Sequence, residues 1–469
     1  MTASPQNIFT KNSPTANNLA VISGGETLSY SEFFRCVLKA EHHVRASGIA
    51  QHNRVGIRSH NSIEYLVALF ALWRLGAVAC LLSTRLPDNT VDQQLKSINS
   101  QRLLTSTDLA AISEQLFNAH AENAQDLCIP FNQEATVTFT SGTSCEPKAV
   151  LHTFGNHYYN AKGANEHLPV VPGDQWLLSL PLYHVGGLGI IFRAFLGGGS
   201  VVIPGPDEPI DEVLKTQRIT HLSLVPTHLM RLLRNTDCHS ALTGLKVILL
   251  GGGPIPDSLI EEAVELGLPV YTTYGSTEMA SQVATSSRLT KDNLISAGKV
   301  LNYRRLMLTE EEEILVKGEA LFKGYIEHSD LSLPFNTNGY FLTGDLGEFR
   351  DDGTLVVKGR KDNMFISGGE NIQPEEIEQY LCRMQHIERA VVLPAPDDEF
   401  GARPVAVIKT KEGDALMIPE MSAFLTGHLP KFKVPKQYFT WPDTVDIHTP
   451  KVNRQELSRT ILSIKTDHS

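Results

Sequence analysis

The chain has 469 residues, 42% of them hydrophobic and 20% charged, with a formal net charge of −11. That length exceeds one small core and implies two or more domains, while the acidic balance argues against a nucleic-acid or anionic-membrane partner, which would select a basic face. The six cysteines are scattered without a CxxC pair, so neither a zinc ribbon nor a disulfide framework is indicated, and a reducing compartment follows.

The polar opening, MTASPQNIFTKNSPTANN, lacks the apolar core of a secretory signal, so the cytoplasm is the expected location. LAVI, the turn Ser23-Gly24-Gly25-Glu26 and TLSY read as a hairpin. Ser29 and Glu32 have capping-box spacing, which predicts a helix beginning near Tyr30. The apolar run Tyr65 to Ser83 approaches the length of a membrane span. Arg74 and Gly76 interrupt it, and a buried helix followed by the buried strand AVACLL is the better reading, so no membrane span is expected.

Beyond this point apolar strand-length runs (VGIRS, ATVTFT, SVVIP, HLSLVP, LKVILLGGG, LPVYTTYG) alternate with helical stretches such as HLMRLLRN and DSLIEEAVEL. Such alternation predicts α/β layers around a largely parallel, buried sheet. One connection stands out. After ATVTF comes Thr140-Ser141-Gly142-Thr143-Ser144-Cys145-Glu146-Pro147-Lys148, with four hydroxyls, a glycine and a lysine within nine residues. A loop of that kind can wrap an anion with N–H and hydroxyl donors while lysine adds a point charge. It is not a Walker loop, because GxxxxGK[ST] is absent. By itself such a Ser/Thr/Gly-rich stretch is more often just a loop.

Near residue 300 the composition shifts. The acidic run Glu310 to Glu313 reads as a solvated turn, and the stretches TNGYFLTGD, DDGTLVV and GRKDN read as short antiparallel strands joined by Asn-Gly and Asp-Gly turns. Around Gly359-Arg360-Lys361-Asp362 a new unit begins, with FISGG, a helix from Pro374 to about Met384, AVVLPAP, PVAVIKT and a last helix near Glu456. The expected organisation is α/β. A large N-terminal domain over 1–360 combines layered α/β sheets with a small β-barrel-like part, and a small mobile α+β domain follows over 361–469.

The loop at 140–148, Tyr274-Gly275-Ser276-Thr277-Glu278, Thr343-Gly344-Asp345, Gly359-Arg360-Lys361-Asp362 and the turn Ser367-Gly368-Gly369-Glu370-Asn371 occur in that order. This series resembles the adenylate-forming superfamily of acyl-CoA synthetases, luciferases and peptide-synthetase adenylation domains, over nearly the whole chain. The stretches WLLSLPLYHVGGLGI, LVPTHLMRLL, ISGGENIQPEEIE and EFGARPVAV are similar to its short 2-succinylbenzoate–CoA ligase subfamily of menaquinone biosynthesis.

The resemblance implies a two-step ligation: a carboxylic acid reacts with ATP to give acyl-AMP and pyrophosphate, then coenzyme A displaces AMP. It implies ATP, Mg²⁺ and coenzyme A as bound groups. Thr140, Ser141, Gly142, Thr143, Ser144 and Lys148 would cradle the phosphates, and Gly251, Gly252 and Gly253 would let the nucleotide approach bare backbone. Tyr274 and Gly275 would flank the adenine, Thr277 would contact the α-phosphate and Glu278 would hold Mg²⁺. Asp345 and Arg360 would serve the ribose. Lys451, in TPKVNRQEL with Arg454 after it, matches the mobile catalytic lysine of the family. Asp362 matches the pivot, and Ser367, Gly368 and Gly369 the coenzyme A channel. His184 matches a gating position, while Arg193, Ser281 and Gln282 would bind the acid, Arg193 pairing with a second carboxylate. As a structural group Arg193 would instead form an internal salt bridge.

The chain departs from the pattern at Cys145, where the family has glycine, and at Pro450 before Lys451. These positions keep two other readings open: an acyl- or aryl-CoA ligase of different specificity, and a nucleotide-binding member without ligase activity. A homodimer is also left open.

Overall fold

Ser29 starts the first long helix, Tyr30–Ala46, by the expected capping box: its hydroxyl accepts the Glu32 N–H, and the Glu32 carboxylate accepts the Ser29 N–H at 2.8 Å. The structure is a computed structural model describing residues 6–9, 17–100, 102–116, 127–140, 147–293, 296–327, 330–368, 370–397, 399–411, 415–445 and 452–466. Gly76, in the left-handed region at φ 82°, closes the buried helix Ile63–Leu75, and the strand Val78–Leu81 follows, every residue of it buried. Among the described residues no helix is long and apolar enough to cross a membrane.

Two large sheets form the N-terminal body. The nine-stranded sheet runs in the order Lys299–Val300, Ser281–Thr285, Val270–Ser276, Val247–Leu250, His221–Leu224, Gln175–Leu177, Ser200–Ile203, Leu19–Ser23, Glu26–Ser29. Its six central strands are parallel, and the strands of its edges are antiparallel. The seven-stranded sheet has parallel strands Arg102–Thr105, Arg54–Arg58, Val78–Leu81 and Glu134–Thr140, then antiparallel Lys148–Thr153, Gly324–Glu327 and Asp330–Ser332. The helices Phe154–His167 and Val185–Leu196 pack in the core between them, with Trp73, Phe154, Phe192 and Trp176 in one buried cluster. Val78–Leu81, Ser200–Ile203, His221–Leu224 and Val247–Leu250 are buried along their whole length, as parallel strands in a sheet covered on both faces are.

A four-stranded antiparallel sheet, Arg304–Leu308, Glu313–Gly318, Phe341–Phe349 and Leu355–Arg360, completes the large part. Glu310, Glu311 and Glu312 form the exposed turn expected of the acidic run, and only Glu313 departs from it. Glu313 is only 6% exposed; it accepts the Gly344 N–H at 3.2 Å and pairs with Lys361 at 3.0 Å, while Glu311 holds Lys361 at 2.8 Å. The reason is register: Glu313 opens a strand that pairs with Phe341–Phe349, which turns its side chain inward, toward a lysine that the sequence places 48 residues on.

Residues from Ile372 onward build two core clusters of their own, around Ile377, Val392, Ile408 and Leu425, and around Val407, Trp441 and Leu457. Pro374 starts the helix Pro374–Cys382, and the final helix spans Arg454–Thr466. The Arg454 guanidinium reaches both oxygens of Glu378, at 2.7 and 2.9 Å, and the Val392 carbonyl at 2.8 Å. That buried fork ties the last helix to the small unit. Against the large part, Arg383 pairs with Asp257 at 2.5 Å and Arg234 with Glu388 at 3.4 Å.

Candidate active site

Thr140 and Lys148 face each other as the last pair of an antiparallel ladder, which brings the two ends of the 140–148 stretch together. Ser141, Gly142, Thr143, Ser144 and Cys145 of that loop lie outside the described residues, as do Gly369, Pro450 and Lys451. The Lys148 ammonium sits over the Tyr325 ring, 4.9 Å from its centre, and the Tyr325 hydroxyl donates to Glu278 at 2.8 Å. One aromatic side chain thus connects the base of the loop to the acidic member of the YGSTE sequence, 130 positions further along the chain (278 − 148).

YGSTE itself forms one side of a tight hairpin. Strand Val270–Ser276 pairs with Ser281–Thr285, with Gly275 opposite Gln282 and Ser276 opposite Ser281. A side chain at Gly275 would put its Cβ 2.0 Å from the Ser281 carbonyl oxygen, so only glycine fits. The turn is strained at two non-glycine residues, Ala280 at φ 54° and Ser281 at φ 128°. Donors from outside hold its carbonyls. His152 Nε2–H donates to the Thr277 carbonyl at 2.8 Å and the Phe322 N–H to that of Glu278 at 2.7 Å. Asn160 donates to Met279 and Gln282, at 2.7 and 2.9 Å, and Arg304 to Gln282 at 2.6 Å.

Gly251, Gly252 and Gly253 leave the neighbouring strand Val247–Leu250 beside this hairpin. A Cβ on Gly251 would lie 2.7 Å from the Thr273 methyl, and Gly252 is left-handed at φ 87°. From the other side, the Tyr274 hydroxyl donates to Asp345 at 2.6 Å. Arg360 donates to the second Asp345 oxygen at 3.0 Å, to the Thr343 carbonyl at 2.7 Å and to Asp362 at 2.9 Å. Burial and the adjacent Asp345 carboxylate push the Tyr274 phenol far up, keeping it a neutral donor. Asp345 and Asp362 therefore share one guanidinium.

The third group of residues gathers around Arg193. His184, exposed, is the N-cap of the helix Val185–Leu196, which carries Arg193 inward. Arg193 is 2% exposed; it hydrogen-bonds the Gln282 side-chain oxygen, lies over Trp176 with its guanidinium carbon 4.6 Å from the ring centre, and leaves Nε without a hydrogen-bond partner. Among the described residues no carboxylate pairs with it, so the internal salt bridge is not what buries it. Burial, and then the charge of Arg304, push its pKa down to about 9, leaving it cationic at neutral pH. A Cβ on Gly189 would come 3.2 Å from Arg193 Nη1 and 3.4 Å from Ser281 Oγ, which shows how closely that glycine face, Arg193 and Ser281 converge.

In the small unit, Ser367 is buried with its hydroxyl unpartnered, and Gly368 is left-handed at φ 57° under the Phe400 ring. The Asp362 turn, Lys361–Asn363, joins the two parts. Magnesium fits this donor set. Glu278 offers one carboxylate, with Oε1 already oriented by Tyr325, and among the described residues no cluster of three or more metal-ligating side chains competes. An ion here would take its remaining ligands from phosphate and water, as magnesium prefers.

His152, Asn160, Arg304, Trp176 and Tyr325 were not singled out in the sequence. They lie in no phosphate-binding motif, and the roles above depend on long-range contacts.

The AMP-binding enzyme family matches residues 9–326, and the AMP-binding enzyme C-terminal domain matches residues 376–447. The 2-succinylbenzoate–CoA ligase of Geobacillus sp. (strain WCH70) is 32% identical over 471 residues, covering 95% of each chain. Among solved structures, o-succinylbenzoate CoA synthetase from Bacillus subtilis, in complex with its acyl-adenylate intermediate, superimposes with a TM-score of 0.85 at 31% identity, over 95% of this chain and 96% of that one. The same enzyme with ATP and magnesium ion gives a TM-score of 0.83 at 30% identity, covering 95% and 97%.

Proposed function

The chain belongs to the AMP-binding enzyme family, and from that premise we infer that it is a 2-succinylbenzoate–CoA ligase. It joins the acid to AMP with release of pyrophosphate, then passes the acyl group to coenzyme A. The observation that carries the choice of acid is Arg193: a buried cation with no carboxylate partner among the described residues, beside Ser281 and Gln282. A buried cation of this kind is costly unless an anion completes it, and a dicarboxylic acid supplies one carboxylate to Arg193 and the other to reaction.

The first step brings two anions together, so its barrier falls when fixed donors and cations surround the junction. In this reading Lys148, Thr140 and the loop between 140 and 148 hold the phosphates, and Thr277 meets the α-phosphate. Tyr274 and Gly275 flank the base, against the bare backbone of Gly251, Gly252 and Gly253. Glu278 would hold magnesium, which when bound would offset phosphate charge. Asp345, oriented by Tyr274 and Arg360, accepts the ribose hydroxyls, and His184 stands at the pocket mouth. Lys451 enters from the small domain during adenylation. The domain boundary falls at 360/361, and rotation about Asp362 then withdraws Lys451 and brings Ser367, Gly368 and Gly369 to line the thiol path. Exclusion of water between the steps protects the adenylate from hydrolysis. ATP and coenzyme A being cytoplasmic cosubstrates, the reading carries a cytoplasmic location with it.

Pyrophosphate release, measured across a panel of acids, tests the reading. Strong turnover with 2-succinylbenzoate and little with benzoate or acetate is expected; comparable turnover of benzoate overturns the choice of acid.

A further inference from the structure

We propose that His152 is a positioning residue for adenylation, fixing the Thr277–Glu278 peptide from behind the phosphate-binding hairpin. The proposal rests on the reading that Thr277 and Glu278 serve ATP and its magnesium.

His152 is 0% exposed, on the strand Lys148–Thr153 that leaves the phosphate loop. Its Nε2 lies 2.8 Å from the Thr277 carbonyl oxygen. A carbonyl only accepts, so Nε2 carries the proton and Nδ1 is the bare nitrogen. That Nδ1 is buried without a hydrogen-bond partner. The neighbouring ring, His157, lies 4.9 Å away and is turned to Thr136, which its Nε2 meets at 2.7 Å. An imidazole with one nitrogen unsatisfied is a costly way to fill a core position, and an apolar side chain would do so more cheaply. What the imidazole supplies is a single fixed donor aimed at one peptide.

That peptide lies between the α-phosphate residue and the magnesium carboxylate. It opens a turn strained at Ala280 and Ser281, so the backbone there relaxes unless its surroundings over-determine it. Asn160, Arg304 and the Phe322 N–H hold the carbonyls of Glu278, Met279 and Gln282. His152 alone among the described side chains holds that of Thr277. Because His152 also continues the strand from Lys148, it couples the base of the phosphate loop to the hairpin across the site.

The test uses the full-length enzyme and the variants H152L and H152Q, the second keeping an N–H donor of similar reach. Three quantities are read: adenylation as pyrophosphate release, the magnesium concentration that half-saturates it, and thioester formation from supplied acyl-adenylate. Loss of a buried hydrogen bond at this peptide predicts that H152L slows adenylation about 10- to 100-fold and raises the magnesium requirement several-fold. Thioester formation changes less than about threefold, and H152Q restores most of the adenylation rate. Equal loss in both half-reactions, an unchanged magnesium requirement, or H152Q no better than H152L overturns the proposal. If H152L fails to fold, H152Q against wild type decides: its magnesium requirement must stay near that of wild type. Should the wild-type enzyme release no pyrophosphate with any acid, the ligase reading itself fails, a different result from any of these.

Discussion

Tyr274 and Asp345, 71 residues apart in sequence, are joined by a hydrogen bond of 2.6 Å in which the phenol donates to the carboxylate. The bond fixes one Asp345 oxygen while Arg360 holds the other. Asp345→Ala removes both partnerships and the proposed ribose acceptor, and raises the KM for ATP about 30-fold or more. Tyr274→Phe removes only the orienting donor and raises it about 3- to 10-fold. Initial rates at varied ATP separate the two; a Tyr274→Phe effect as large as that of Asp345→Ala would contradict the orienting role.

Arg193→Met leaves the pocket apolar and about the same size. With the dicarboxylic acid, kcat/KM falls about 100-fold, whereas with a monocarboxylic aryl acid it changes less than about threefold. Should both acids suffer alike, Arg193 serves the fold and not the substrate.

Lys361 bridges Glu311 and the buried Glu313 at the turn that joins the two parts. Lys361→Met releases this hold and changes the ratio of adenylation to thioester formation about 3- to 10-fold; raising salt from about 0.05 to 0.5 M moves the wild-type ratio the same way, since the lysine side is solvent-accessible. A salt-independent ratio, the same in variant and wild type, removes Lys361 from control of the hinge.

Burial pushes His152 and His221 down to about 4, and His157 also far down from the ordinary histidine range. Their folded values lie below the unfolded one, so the unfolded chain binds more protons as pH falls through 6.5 toward 4. Stability is therefore complete above about pH 6.5 and is lost below it, at up to about 1.4 kcal/mol per pH unit for each histidine. Denaturant unfolding at pH 7.5, 6.5 and 5.5 (about one unit apart, the range set by the histidine values) should show this fall; a flat profile would mean that these rings take up protons inside the fold.

Arg454→Met strands the Glu378 carboxylate in the small unit and costs about 3 kcal/mol or more. Adding Glu378→Gln, which still accepts the Val392 N–H but needs no cation, recovers most of that loss. Thermal unfolding of the single and double variants reads it directly. A double variant no more stable than Arg454→Met refutes the pairing as the cause.

Local signals carried much of this molecule. The capping box at Ser29 and Glu32, the Gly76 stop, the alternation of strands and helices, and the order of the YGSTE, TGD and GRKD sequences are all short-range features, set by backbone sterics and side-chain periodicity, and a single sequence displays them. What depended on the tertiary structure is of another kind. The acidic run is the exposed turn its sequence predicts over Glu310 to Glu312, but a strand register turned Glu313 inward to grip Lys361. Arg193 lost its internal salt-bridge reading because no described carboxylate approaches it. His152 and Asn160, which hold the hairpin carrying Thr277 and Glu278, belong to no motif and reach it over 119 to 125 positions of chain, joined by Arg304 from 22 positions beyond Gln282. Sequence patterning reports what each residue does to its own backbone and to neighbours a turn or a pleat away; a buried donor's choice of acceptor is made only when two distant segments pack, and that is where this site is put together.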